Sequence, residues 1–417
     1  MVAVTEPYTV QRREYGPMLK AANAVFGLLD ALKIPLSDLN QDALIRAAVR
    51  AAGRRPVDSD FQEPMAEMLR CVNAAPVTTF GRFSARQLGI KAVTNRLQIE
   101  EYFEKHPAVA DVPVRRPLFI LGFPRTGTTL IQNLLSTHPQ RRSLKFWELL
   151  TPVPMHDDPA IDRRKRRRFA AQILWLSNFI APEQRFIHEV KLDTPEGCWP
   201  LFYPSFAVMN IDLQFSLPSY GDWLMQYDMR GPYQLYRKQL QILSQQQPTG
   251  QFVLKCPEHL WFLDAILDTF PDACIVWTHR DPVASVASYS SLIALNHRLW
   301  YGKFENKALG THIHDRFLSG INRAMDVRER VGREHQFFDV DFQELVADPT
   351  AMVGRIAEHF DLNYTTEDVA AVKGWLDNDR SDKRGQHLYS PSQFGLDPAT
   401  IRRDYARYIE RFDIPTR

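Results

Sequence analysis

One segment limits the folds open to this chain more than any other: Leu118-Phe-Ile-Leu-Gly-Phe-Pro-Arg-Thr-Gly-Thr-Thr-Leu-Ile-Gln-Asn-Leu-Leu135. Four apolar residues, Leu118 to Leu121, read as a short buried strand. A glycine-bracketed loop runs from Gly122 to Gly127, and Thr128 opens a helix whose apolar positions are Leu130, Leu134 and Leu135. Strand, glycine loop and helix in that order aim successive backbone N–H groups and the positive end of a helix dipole at one anion. The Gly-x-x-x-x-Gly spacing is that of a nucleotide-binding P-loop, but Thr128 follows the second glycine where a nucleoside triphosphatase carries lysine. The only cation in the loop is Arg125. The segment predicts a cradle for a phosphate-like group without the lysine that serves the β- and γ-phosphates.

The rest of the composition fits an enzyme in a reducing compartment. With 417 residues, 45% of them hydrophobic, the chain can bury one large core and a smaller satellite. Lys and Arg number 51 against 49 Asp and Glu, so the net charge of +2 neither favours nor excludes a polyanionic partner. Cys71, Cys198, Cys256 and Cys274 are dispersed, without Cys-x-x-Cys pairing, which predicts buried thiols rather than a zinc site or a disulfide framework. The start, Met1-Val-Ala-Val-Thr-Glu-Pro7, has no basic end ahead of an apolar core; no secretory signal is expected, and a cytoplasmic location is. The apolar patch from Ile173 to Ile180 contains Ser177 and Asn178 and is too short to span a bilayer.

Residues 1–110 read as a helical extension or cap. Asn40 can cap a helix over Gln41 to Ala52 that Gly53 ends, and Phe61 to Ala75 and Ser84 to Lys105 have similar amphipathic periodicity. Residues 111–417 read as an α/β domain. Apolar runs at Phe252 to Leu254, Ala273 to Thr278 and Phe337 to Val340 alternate with helical patterns at Leu260 to Phe270, Pro282 to Leu292 and Pro349 to Phe360. That alternation predicts a mostly parallel sheet flanked by helices, with ligands held beyond the carboxyl ends of its strands. The run Arg163-Arg-Lys-Arg-Arg-Arg168 suits either a solvated helix face or contact with nucleic acid or anionic lipid; without interleaved aromatics, the solvated face is expected and no nucleic-acid partner is.

A second unit spans Phe252 to Tyr289. One strand delivers Lys255 at its carboxyl end, and a second delivers His279, Arg280 and Asp281, with Pro282 at the first turn of the next helix. Arg280 and Ser288 can converge on a second phosphate; the alternative is a structural Arg280–Asp281 pair. Together with the glycine loop, this unit resembles the sulfotransferases that use 3′-phosphoadenosine 5′-phosphosulfate (PAPS), above all the bacterial branch and the protein-tyrosine type. The resemblance covers roughly residues 115–417. It implies that Arg125, Thr126, Gly127, Thr128 and Thr129 form the 5′-phosphosulfate loop and that Arg280 and Ser288 hold the 3′-phosphate. It further implies that Lys255 supports the leaving phosphate and that Phe342, in Phe342-Gln-Glu-Leu-Val-Ala-Asp-Pro349, lies near the adenine. The basic loop Lys383-Arg-Gly-Gln-His-Leu-Tyr389 resembles a cofactor-closing segment, with Lys383 or Arg384 adding charge.

The resemblance implies sulfonate transfer to a small acceptor, with adenosine 3′,5′-bisphosphate as product and no metal expected, since Arg125, Lys255 and the loop amides supply the positive charge. An acceptor hydroxyl also needs a base within hydrogen-bond reach. Glu148 and His259 are the candidates, with His188 third. The aromatic stretch from Trp199 to Trp223 is expected to be mostly core; the family places its acceptor there, which favours an apolar or aromatic alcohol. The rival readings are a P-loop kinase and a protein binding an anionic polymer or lipid through Arg163 to Arg168. The sequence leaves a homo-oligomer open.

Overall fold

A computed structural model describes residues 8–9, 17–32, 36–56, 59–180, 189–248, 250–301, 305–378 and 387–416. Its centre is a five-stranded sheet built from β2 (Leu118–Gly122), β3 (Arg141–Arg142), β4 (Gln251–Lys255), β5 (Cys274–His279) and β6 (Phe337–Asp341). The spatial order is β3-β4-β2-β5-β6, and every pairing is parallel. A separate parallel pair joins β1 (Tyr8–Thr9) to β7 (His387–Leu388). The four longer strands coincide with the four apolar runs of the sequence. β3 escapes such a reading because it has only two residues, both arginine.

The period of two along a strand sends alternate side chains to opposite faces. Leu118 and Ile120 join Val253, Val276 and Val340 on one face, under the helices Thr128–Leu135 and Pro349–His359. Phe119 and Leu121 join Leu254, Ile275 and Trp277 on the other, within a larger core. Both faces are covered over β2 and the middles of β4 and β5, so those stretches are apolar without alternation, as buried parallel strands are; the edge strand β6 exposes Asp339.

Within residues 1–110, the helix Gln41–Ala52 forms as expected: the Asn40 side chain accepts from the Ala43 amide at 3.0 Å, and Gly53 closes it at φ 73°. The helix expected over Ser84 to Lys105 begins earlier, at Thr79, because Thr78 caps it through the Gly81 amide. Leu44, Ala48, Met65, Val93 and Leu97 share the larger core with Phe206 and Leu254, so these helices pack directly on the α/β layers. No helix among the described residues is long and apolar enough to cross a membrane.

Candidate functional site

The glycine loop is shaped by contacts that leave no room for other residues. At Gly122, φ is 135° and a Cβ would lie 2.4 Å from the Thr278 hydroxyl; at Gly127, φ is 88° and a Cβ would lie 2.6 Å from Leu345 Cδ2 and 3.3 Å from the Phe342 ring. Both positions demand glycine by conformation and by space. Arg125 adopts φ 74° without being glycine, a strain that persists only where the surroundings enforce it. Thr126 is fully buried, donates to the Phe123 carbonyl at 2.7 Å and meets the Thr278 hydroxyl at 2.5 Å. Its hydroxyl braces the turn, so its amide is what it can offer an anion. Phe123 anchors the loop from below, stacked on Phe317 at 5.1 Å with Tyr405 and Tyr408 edge-on.

Arg125 is solvent-accessible, yet desolvation, followed by the charge of Arg280, lowers its guanidinium from its ordinary value. An accessible side chain crowded enough to lose hydration stands in a crevice. Tyr389, from the segment just after β7, acts on Arg125 in the opposite sense. Arg280 donates to the Arg125 carbonyl at 2.9 Å, and its guanidinium covers the Phe342 ring at 4.1 Å. Asp281 pairs with Arg402 at 2.8 Å, which removes the alternative of an Arg280–Asp281 pair. Among the described residues, neither Arg125 nor Arg280 has a carboxylate partner. Ser288 is buried in the second turn of the helix Pro282–Tyr301 that follows Arg280.

On the other side of β2, Lys255 ends β4 opposite Ile120. Its ammonium lies 3.6 Å from the Glu196 carboxylate, and the Glu196 carbonyl accepts from Gln132 in the loop helix at 3.3 Å. Neighbouring strands are about 4.8 Å apart, so Lys255 and Arg280 flank the loop from adjacent strands on either side. Among the described residues, no group of three or more His, Cys, Asp or Glu gathers to hold a metal ion.

Two expected bases need correction. Glu148 is 3% exposed; one carboxylate oxygen is paired with Arg142 and the other accepts from the Lys145 amide at 2.8 Å, closing a capping box. Both oxygens are committed to structure. His259 is fully buried among Phe119, Phe202 and Tyr236, with Nδ1 3.0 Å from the Tyr233 hydroxyl, and burial pushes it down to about 3. A neutral ring sealed from solvent cannot meet an acceptor. His188, Lys383 and Arg384 lie outside the described residues. Among the described residues, the carboxylate beside Lys255 is Glu196, which sequence reasoning missed; Thr194-Pro-Glu-Gly197 reads as an ordinary turn, although an acid between helix breakers ahead of an aromatic stretch is a usable signal.

The aromatic stretch is largely core, with Phe202, Phe206, Phe215 and Tyr220 buried, while Trp199, Tyr203 and Trp223 keep partial exposure. The basic run is split. Arg166 is buried against Trp147 with Asp162 as partner at 3.2 Å, whereas Arg163, Arg164, Lys165 and Arg168 are exposed.

A family model described as "Sulfotransferase family" matches residues 117–366. Among curated proteins, the omega-hydroxy-beta-dihydromenaquinone-9 sulfotransferase Stf3 of Mycobacterium bovis is 23% identical over 267 residues, 59% of this chain and 63% of that relative. The Stf3 of Mycobacterium tuberculosis matches equally; the chain thus spans less than two thirds of these relatives. Among solved structures, sulfotransferase STF1 from Mycobacterium tuberculosis H37Rv aligns with a TM-score of 0.78 at 28% identity, over 88% of this chain and 98% of that one. Sulfotransferase STF9 from Mycobacterium avium aligns with a TM-score of 0.76 at 29% identity, over 90% of this chain and 97% of that one.

Proposed function

This chain belongs to the sulfotransferase family, and on that premise we propose that it moves a sulfonate group from PAPS to the hydroxyl of an apolar or aromatic molecule, releasing adenosine 3′,5′-bisphosphate. One observation carries the reading. Two guanidiniums, Arg125 and Arg280, meet at the strand ends with no carboxylate partner among the described residues, and Lys255 stands across the loop strand. Such a cluster is costly unless an anion neutralises it.

The residues fit the donor part by part. Amides from Arg125 to Thr129, with the Thr128 and Thr129 hydroxyls and the Arg125 guanidinium, surround the 5′-phosphosulfate. Arg280 and Ser288 read the 3′-phosphate, and Phe342, already stacked against Arg280, sides with the purine. Lys383 and Arg384 would add charge. In the transfer, a sulfur–oxygen bond to the phosphate breaks as a sulfur–oxygen bond to the acceptor forms. Charge builds on the departing phosphate oxygen, and in this reading Lys255 and the loop amides stabilise it. Glu196, 3.6 Å from the Lys255 ammonium, takes the acceptor proton.

An apolar alcohol is the acceptor class we favour, because partly exposed aromatics follow Glu196 directly and because one curated relative is named for acting on an omega-hydroxy menaquinone. Residues 1–110 act as a helical cap over this domain, and the free, buried cysteines suit a cytoplasmic setting. Calorimetric titration with adenosine 3′,5′-bisphosphate, ATP and AMP tests the donor assignment. The bisphosphate should bind tightest without magnesium; tighter binding of magnesium–ATP would favour a kinase.

A further inference from the structure

The helix Pro159–Ile180 carries a surface that sulfonate transfer does not use. Trp175 (66% exposed), Phe179 (51%), Leu176 (47%) and Ile173 (40%) account for four of the few large hydrophobic side chains exposed among the described residues. At 3.6 residues per turn they share one arc of about 160°, and the Trp175 and Phe179 rings stack at 5.3 Å. An outward-facing apolar arc of this size on a surface helix marks a contact site.

The preceding turns of the same helix are cationic. Arg164, Lys165 and Arg168 are exposed on that side of the helix, next to exposed Arg163. Arg163, Arg164 and Arg167 also line a concavity of about 580 Å³ together with Lys145 and Asp193. Among the described residues that line it, Asp193 is the only acid, and it is paired with Arg167. Cations beside an exposed tryptophan and phenylalanine suit an interface that is anionic at its surface and apolar beneath it.

We propose that this helix seats the protein on an anionic lipid bilayer, with Arg164, Lys165 and Arg168 at the headgroups and Trp175, Leu176 and Phe179 inserted between them. The flank of the helix turned away from this face is held by Arg167, which pairs with Asp193. The seating does not rest on the proposed function.

The test is co-sedimentation of the full chain with vesicles of phosphatidylcholine alone or with about one-third phosphatidylglycerol, at low and high salt. Wild type should bind only the anionic vesicles and release in high salt. The triple variant Arg164→Gln/Lys165→Gln/Arg168→Gln should bind on the order of a hundredfold more weakly, since each basic residue contributes about a fivefold factor. Trp175→Ser/Phe179→Ser should also lose binding while keeping its fold, because both side chains face solvent. No binding of wild type to anionic vesicles overturns the proposal. So does a wild-type dimer in light scattering that Trp175→Ser/Phe179→Ser converts to monomer, which would assign the apolar arc to a second copy. Bisphosphate affinity, measured on the same variants, should be unchanged, so vesicle binding and the donor assignment can fail separately.

Discussion

Replacing Arg280 with alanine separates recognition of the 3′-phosphate from everything else in the site. In the free protein the side chain makes one hydrogen bond, to the Arg125 carbonyl at 2.9 Å, and one stacking contact, on Phe342 at 4.1 Å. A partly exposed hydrogen bond and an exposed cation–π contact contribute about 1 kcal/mol each, so the fold survives their loss. With adenosine 3′,5′-bisphosphate bound, the same guanidinium gains a charge-assisted bond to the 3′-phosphate worth about 1.5–3 kcal/mol, a factor of roughly 10 to 150. AMP lacks that phosphate. Arg280→Ala should therefore weaken the bisphosphate by that factor and leave AMP nearly unchanged, so that the wild-type preference collapses. Arg280→Lys keeps the charge but not the planar fork, and should fall between. Parallel calorimetric titrations measure all three proteins. Equal weakening of both ligands would refute the reasoning, for it would mean that Arg280 acts by holding the Arg125 turn rather than by contacting the 3′-phosphate.

The other predictions concern the base, a buried acid and the metal. Glu196→Gln should lower turnover by about 10²–10⁴-fold with bisphosphate affinity retained, whereas His259→Asn should leave that affinity and much of the turnover in place; the reverse pattern in steady-state assays would return the base to His259. Glu148→Gln should act on stability, because it removes the buried negative charge that pairs with Arg142, and a lowered urea midpoint reads this. Burial raises the Glu258 carboxyl to about 8, opposed by bonds from the Met209 and Asn210 amides. The folded state thus holds a proton that the unfolded state releases, so stability is full below the ordinary carboxylate value and falls as pH rises towards 8. Between about pH 6.5 and 8 the loss should approach 2 kcal/mol at most, and Glu258→Gln should flatten it; an unchanged slope in urea titrations would contradict this. Turnover should persist in EDTA, because Arg125, Lys255 and the loop amides carry the positive charge.

The parts of the site legible in the sequence are those with local causes. Leu118 to Gly127 could be read because strand, turn and helix start follow one another within a few residues, and the glycines are fixed by φ and by contacts the spacing anticipates. Lys255 and Arg280 were legible as ends of apolar runs. Glu196 was not, because only the pairing of its turn with Leu144 and Lys145 brings it to Lys255. Glu148 looked like a base because it resembles the glutamate that follows the loop helix in the protein-tyrosine type, but Arg142 claims it, and an N-cap lysine gives no warning of a capping box. His259 carried a warning in Leu260-Trp-Phe262: a histidine entering such a run belongs to the core. In the basic run, burial of Arg166 depends on Trp147, which no pattern of charges reveals.

The most direct measurement is transfer itself. Purified protein is incubated with PAPS labelled on the sulfonate, a set of long-chain and aromatic alcohols, and EDTA. Labelled acceptor should form with one equivalent of adenosine 3′,5′-bisphosphate, and Lys255→Ala should form almost none. Phosphate transfer from magnesium–ATP to those alcohols, with no label from PAPS in any of them, would contradict the account.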